Sequence, residues 1–204
     1  MKNLLILIGP SAGGKTTFAN FLEQNDFKEV VSMTTRPKRQ NEVHGESYFF
    51  CSEKDFITYI KNGVMIEYAE YCGNYYGNHV DFLIKQVEQN HQSNKNSVIV
   101  LELQGAINLK HWIWENAPDI KCATAFCYIP PSEQKNRLIS RILEQVHNGD
   151  PGKLRQHLET FFDRAKKSES EYDWMKHPTV DVLISCDAGS EYFNLEKVKK
   201  ILES

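Results

Sequence analysis

The run Gly9-Pro10-Ser11-Ala12-Gly13-Gly14-Lys15-Thr16 satisfies GxxxxGK[ST] at every position. It directly follows the apolar run Leu4 to Ile8 and directly precedes Phe18, Phe21 and Leu22 at helical spacing. That setting matters, because such a turn must aim backbone N–H groups and a helix N-terminus at polyphosphate oxygens. Glycine lets the backbone approach an anion closely and adopt positive φ. Lys15 is placed to reach the β- and γ-phosphates of a nucleoside triphosphate, and the Thr16 hydroxyl to ligate Mg²⁺. The triphosphate-binding candidates are Gly9, Pro10, Ser11, Ala12, Gly13, Gly14, Lys15, Thr16 and Thr17, with Thr16 as the metal ligand. This motif identifies the phosphate donor and leaves the acceptor open.

Arg36-Pro37-Lys38-Arg39 puts three cations into four residues. Arginine's planar fork suits bidentate phosphate binding, although an isolated basic run reads equally well as a solvated loop. Arg137 and Arg141 are four apart and so share one helix face, with Leu138, Ile142 and Leu143 packing elsewhere. They suit either neutralisation of a transferring phosphoryl group or surface ion pairs with Glu133 or Glu144.

The elements that must hold these groups alternate. Short strand-like runs fall at residues 3–8, 28–31, 97–103, 122–129 and 180–185, two of them continuously apolar, as strands covered on both faces require. Helical patterns lie between them. Ser52 and Asp55 open one over residues 53–62, with Phe56, Ile57, Tyr59 and Ile60 inward and Gly63 as stop. Others involve Val80, Leu83, Ile84 and Val87, then Leu138 to Val146, residues 153–168, and Leu195 to Leu202. The alternation predicts an α/β fold, a three-layer doubly wound parallel sheet. Residues 32–76, rich in Tyr, Phe, Gly and charge, fit least well and read as an inserted mixed segment.

Composition sets the outer limits. The 204 residues are 41% hydrophobic and 25% charged, which suits one globular domain and excludes a disordered or low-complexity chain. A net charge of −3 disfavours a non-specific nucleic-acid binder. Five scattered cysteines (Cys51, Cys72, Cys122, Cys127, Cys186) form no CxxC pair and read as free thiols in a reducing compartment. The early apolar run is too short for a signal peptide or a membrane span. The expectation is a soluble cytoplasmic protein with no membrane or nucleic-acid partner, monomeric or homodimeric.

Several segments together resemble guanylate kinase. They are Val31-Ser32-Met33-Thr34-Thr35-Arg36-Pro37-Lys38-Arg39, Glu42 to Phe50, Ile66-Glu67-Tyr68-Ala69-Glu70, Gly73-Asn74-Tyr75-Tyr76-Gly77, Leu103-Gln104-Gly105-Ala106, Ile129-Pro130-Pro131-Ser132 and Arg137-Leu138-x-x-Arg141. The resemblance covers nearly the whole chain and is most specific between Gly9 and Gly77. It implies a P-loop nucleoside monophosphate kinase that moves the γ-phosphate of ATP to GMP or dGMP with Mg²⁺. It implies a core of residues 1–31, 82–133 and 170–204, a GMP-binding arm at 32–81 and a helical lid at 134–169. By the same resemblance Arg36, Arg39, Tyr48 and Tyr76 hold the GMP phosphate, and Ser32 and Glu67 contact guanine. Gly77 and Glu102 complete the GMP-binding set, and Lys15, Arg137 and Arg141 act on the transferring group. Residue chemistry agrees on Glu67: guanine presents a ring N–H beside an exocyclic amino group, and one carboxylate accepts from both, whereas adenine lacks that pair.

The chain also departs from the family. Val100 stands where an acidic residue normally sits near Mg²⁺, while Glu102 keeps the second acidic position. Lid arginines are ambiguous, with Arg155 and Arg164 present but His157-Leu158 nearest the expected place. Residues 147–152 make an unusual turn, residues 175–179 lengthen the link to the last strand, and Cys186 replaces an asparagine near the adenine position. Two alternatives stay open: a kinase of the same scaffold acting on ribose bisphosphate, and a non-catalytic guanylate-kinase-like binding module. The first would have no use for Glu67, and the second would have no need of Gly14-Lys15-Thr16.

Overall fold

The computed structural model describes residues 1–39, 41–71, 73–148, 154–187 and 190–203. In chain order the elements begin with β1 (Lys2–Ile8), α1 (Lys15–Glu23), β2 (Phe27–Glu29), β3 (Met33–Thr34), β4 (Phe49–Phe50), α2 (Glu53–Lys61), β5 (Met65–Tyr71) and β6 (Asn74–His79). They continue with α3 (Val80–Gln92), β7 (Asn96–Val100), α4 (Leu103–Asn116), β8 (Ile120–Tyr128), α5 (Pro131–Asn148), α6 (Leu154–Glu171), β9 (Val182–Ser185) and α7 (Glu191–Glu203). The chain forms two compact units, Met1–Ile6 with Leu22–Cys122, and Leu7–Phe21 with Ala123–Ser204.

In the first unit β2 pairs parallel to β7, and β7 lies beside β1. Leu4, Leu5 and Ile6 of β1 and Val98 of β7 are fully buried, which is why these strands read as continuous apolar runs rather than alternating ones. The same unit holds a second sheet of order β4-β3-β6-β5. Here β3 is parallel to β4 and antiparallel to β6, and β6 is antiparallel to β5. This sheet is the ordered form of the segment that sequence left as mixed. Helix α2 begins where Ser52 and Asp55 predict: the Asp55 N–H donates to Ser52 Oγ at 3.1 Å, and Asn62 caps the other end. Its Phe56 is fully buried and stacks on Tyr75 with ring centroids 5.4 Å apart.

The second unit carries the end of β1 beside β8, with β9 parallel to β8. Helices α5 and α6 pack on each other within it.

Three expectations need correction. The strand predicted over residues 97–103 stops at Val100, and a helix that the apolar pattern did not announce, α4, starts at Leu103 with Glu102 as its N-cap residue. Leu101 is buried on the way into that helix, so the apolar run continued past the end of the strand. On α5, Leu138 and Ile142 are buried as expected, but Leu143 is 61% exposed and Ile139 45% exposed. One stripe of residues at i and i+4 suffices to seat this helix. The unusual turn expected over residues 147–152 starts later, because α5 runs on through His147 and Asn148. Residues 149–153, Cys72, and the side chains of His157 and Arg164 lie outside the described residues.

Candidate active site

The phosphate-binding turn lies wholly in the second unit. Three of its residues hold left-handed backbone: Gly9 at φ +142°, Ala12 at +60° and Gly14 at +90°. Glycine is required at 9 and 14 for space as well. A Cβ on Gly9 would stand 2.7 Å from the Cys127 carbonyl oxygen, and one on Gly14 would stand 2.7 Å from Cys186 Cβ. The turn closes with the Gly13 N–H donating to Pro10 O at 2.9 Å, and α1 starts with the Phe18 N–H donating to Gly14 O. Lys15 Nζ curls back over the turn and donates to Gly9 O at 2.7 Å and Pro10 O at 2.8 Å. Phosphate oxygens would exchange for those carbonyls.

Two buried side chains fix the tip of the turn, and neither was found by sequence. The Ser11 N–H donates to Glu171 Oε2 at 2.9 Å, and Gln134 Nε2 donates to Ser11 O at 2.8 Å. Gln134 is 2% exposed and Glu171 5%. The first turn of α5 and the last residue of α6 are thus both tied to Ser11. A buried polar side chain that could satisfy a loop is not visible in apolar periodicity, so the sequence carried no signal for it.

Arg137 is close to the turn, its Nη1 lying 3.4 Å from where a Gly14 Cβ would be. Arg137 pairs with Glu133, as the surface ion-pair alternative expected, and donates to Cys186 O at 3.1 Å. Arg137 and Arg141 line one cleft of about 510 Å³ together with Ala12, Gly14, Thr17 and Asp187. Cys127 is fully buried, which pushes its thiol well above the ordinary range. Its neighbour Cys186 is pulled the other way, first by the hydrogen bond with Cys127 and then by the Arg137 and Lys15 cations. Cys51, Cys122, Cys127 and Cys186 are free thiols.

The proposed acceptor residues all lie in the first unit. Thr34, fully buried, sends its hydroxyl to Tyr75 O at 2.9 Å and accepts the Arg36 N–H at 3.1 Å. Thr35 completes the stitch, its N–H donating to Tyr75 O and its hydroxyl accepting from the Tyr75 N–H. These two threonines hold the start of the basic loop against β6, beside Tyr76. Tyr48 and Tyr76 meet edge to face at 6.1 Å, and the Arg36 guanidinium lies over the Tyr48 ring at 5.6 Å. Arg36 is bonded to Glu42 at 2.6 Å, which raises its already high pKa and holds the Glu42 carboxyl below the usual carboxylate range. Glu42 also accepts the Arg39 N–H at 2.8 Å, so one carboxylate organises the loop that carries both arginines. The Arg39 side chain is exposed, and Ser32 is half-buried, its carbonyl accepting from Phe49 N–H.

Glu67 and Glu102 meet the same helix end. Glu67, on β5, reaches Gly105 in the first turn of α4, and Glu102 is the N-cap residue of that helix. Gly77 sits where a Cβ would stand 2.9 Å from Tyr68 Cβ, so β5 and β6 require glycine there. Val100 is the half-buried last residue of β7.

A strand, a glycine-rich turn, a helix with lysine and threonine at its start, and a cationic cleft define a P-loop nucleotide kinase. A family profile described as guanylate kinase matches residues 1–202. The guanylate kinase of Lactococcus lactis subsp. lactis is 32% identical over 203 residues, spanning 98% of this chain and 87% of the relative. That of Oceanobacillus iheyensis is 33% identical over 206 residues, with 98% and 86% covered. The crystal structure of guanylate kinase from Anaplasma phagocytophilum superposes with a TM-score of 0.53 at 22% identity, covering 98% of this chain and 83% of that one, and shows the shared fold. This chain belongs to the guanylate kinase family.

Proposed function

We propose that the chain is an ATP:GMP phosphotransferase, passing the γ-phosphate of ATP to GMP or dGMP. The observation that carries the acceptor side is the β3-β6-β5 arrangement. Arg36 follows β3 beside Tyr76 of β6, and Glu67 on β5 pairs with Asn78 of β6. One small sheet therefore offers a phosphate cation and a base-reading carboxylate. The ribose bisphosphate alternative gives Glu67 no task. The binding-module alternative gives Lys15 none, and the relatives named above are guanylate kinases.

Each group has a role set by its chemistry. The backbone of residues 9–14 and Lys15 bind the triphosphate of ATP, and Arg137 and Arg141 neutralise charge on the group in transit. Arg36, Arg39, Tyr48 and Tyr76 hold the GMP phosphate, whose oxygen is already a competent nucleophile, so positioning carries the reaction without a covalent intermediate. Glu67 and Ser32 read guanine, with Glu102 and Gly77 at the same site. Kinases of this family generally use a divalent metal. The donor set fits Mg²⁺ delivered with ATP: Thr16 offers one hydroxyl oxygen, and phosphate and water oxygens supply the rest. Among the described residues no cluster of three His, Cys, Asp or Glu could hold a metal alone. When bound, the ion neutralises the β- and γ-phosphates. Residues 32–81 serve as the GMP-binding arm and 134–169 as the lid.

An ADP-release assay across GMP, dGMP, AMP, CMP and UMP tests the reading. GMP should exceed AMP by at least about a hundredfold in kcat/KM, because adenine lacks the two adjacent donors that the Glu67 carboxylate is assigned to accept from. A best acceptor among AMP, CMP and UMP overturns the assignment of Ser32 and Glu67.

A further inference from the structure

Strands β5 and β6 are not in regular register. Met65 pairs with His79 but Glu67 pairs with Asn78, so Ile66 is an extra residue, a bulge that re-aims the side chain after it. The bulge is held from α4: Asn108 Nδ2 donates to the Ile66 carbonyl at 2.9 Å, and Asn108 Oδ1 accepts from Gln104 Nε2 at 2.9 Å. Glu67 then lies between two supports. Its Oε1 accepts from Asn78 Nδ2 at 3.4 Å, and Asn78 is 5% exposed. On its other side is Gly105. A Cβ there would overlap Glu67 Oε2 and stand 2.6 Å from Cδ and 3.1 Å from Cγ. Gly105 lies in the first turn of α4, whose positive end attracts a carboxylate.

Gly105 and Asn108 are three apart and so share one helix face. We propose that they are positioning residues for base selection: Gly105 leaves the space that the Glu67 carboxylate occupies, and Asn108 holds the bulge that aims it. This rests on the guanine-reading role of Glu67. An alanine Cβ at 105 meets the flexible end of Glu67 first, so the cost of that substitution falls on base recognition before it falls on the fold.

The test compares GMP with inosine monophosphate, which lacks only the exocyclic amino group that Glu67 is assigned to bind. Gly105→Ala should lower the GMP-to-IMP ratio of kcat/KM at least tenfold and leave the KM for ATP unchanged. Its melting temperature should stay level or rise, since alanine is the better helix former. A purely structural glycine would show the reverse, a lower melting temperature with the ratio kept. Asn108→Ala should lower the ratio severalfold, and it decides the matter if Gly105→Ala fails to fold. An unchanged ratio in a folded variant overturns the inference. Glu67→Ala, run in parallel, separates the two claims. A ratio unmoved by Glu67→Ala sinks the guanine reading itself, whereas a ratio lost there but kept in both α4 variants sinks only the seat.

Discussion

The donor turn draws its geometry from eight consecutive residues, Gly9 to Thr16, closed by the Gly13–Pro10 hydrogen bond and by Lys15 bonding its own loop. The proposed acceptor residues come from five separate stretches: Ser32, Arg36 and Arg39 in one, then Tyr48, Glu67, Tyr76 and Gly77, and Glu102. Strand pairing between β3 and β6 and between β6 and β5 brings those on the sheet together, and a bulge turns one of them. A local site is fixed by backbone conformation and tolerates no Cβ at its glycines. A non-local site is fixed by hydrogen bonds between side chains and distant backbone, such as Thr34 to Tyr75 and Asn108 to Ile66. Substitutions should therefore act all-or-none in the first and in graded steps in the second.

The largest effect tests the donor side. Lys15→Ala should lower kcat at least about a hundredfold, the loss typical of removing one charged stabiliser of the transition state. The melting temperature should move far less than the rate, because the lysine's hydrogen bonds to Gly9 O and Pro10 O lie within its own loop. Near-normal turnover would break the comparison at its first term. Arg36→Ala should come next, raising the KM for GMP by roughly ten- to a hundredfold, as expected for a charge-assisted hydrogen bond worth about 1.5–3 kcal/mol. The KM for ATP should change little. An equal loss for both substrates would show that the basic loop acts through folding or general electrostatics.

Glu171 sharpens the contrast, since it supports the local turn from a distance. Glu171→Ala should cost about 1–3 kcal/mol of stability by removing a buried acceptor from the Ser11 N–H. Glu171→Gln keeps an accepting oxygen and should recover most of the loss in a denaturant titration. If both variants behave alike, the turn does not depend on that bond.

The smallest effect concerns pH on the acceptor side. His79 ends β6 and caps α3, its Nδ1 accepting the Asp81 N–H at 3.2 Å, which requires the neutral ring. Burial holds its pKa below the ordinary value of 6.5. The unfolded chain therefore takes up the proton first, so stability is complete above about pH 6.5 and declines as pH falls from there through the folded-state pKa. Thermal melts between pH 8 and pH 5 should show this decline, and His79→Asn, which keeps a capping oxygen, should flatten it. An unaltered pH profile in that variant would assign the decline elsewhere.

Sequence alone determined the parts of this protein that are local. GxxxxGK[ST] needs only eight residues and its flanking strand and helix, and the Ser52 cap needs only Asp55, so type and spacing suffice for both. The family resemblance supplied the proposed acceptor residues as a set, without their arrangement. Tertiary structure decided the rest. The four-stranded sheet of residues 33–79 was illegible because its strands are two to seven residues long, and two-residue strands such as β3 and β4 show no period. Helix α4 was hidden because the apolar run of β7 continues into it through Leu101. The partners that fix the site, Glu171 and Gln134 on Ser11, Glu42 on Arg36, and Gly105 beneath Glu67, are polar or side-chain-free residues whose meaning lies in what they touch. Contacts between residues 6 to 160 positions apart are set by the folded chain, and no local pattern encodes them.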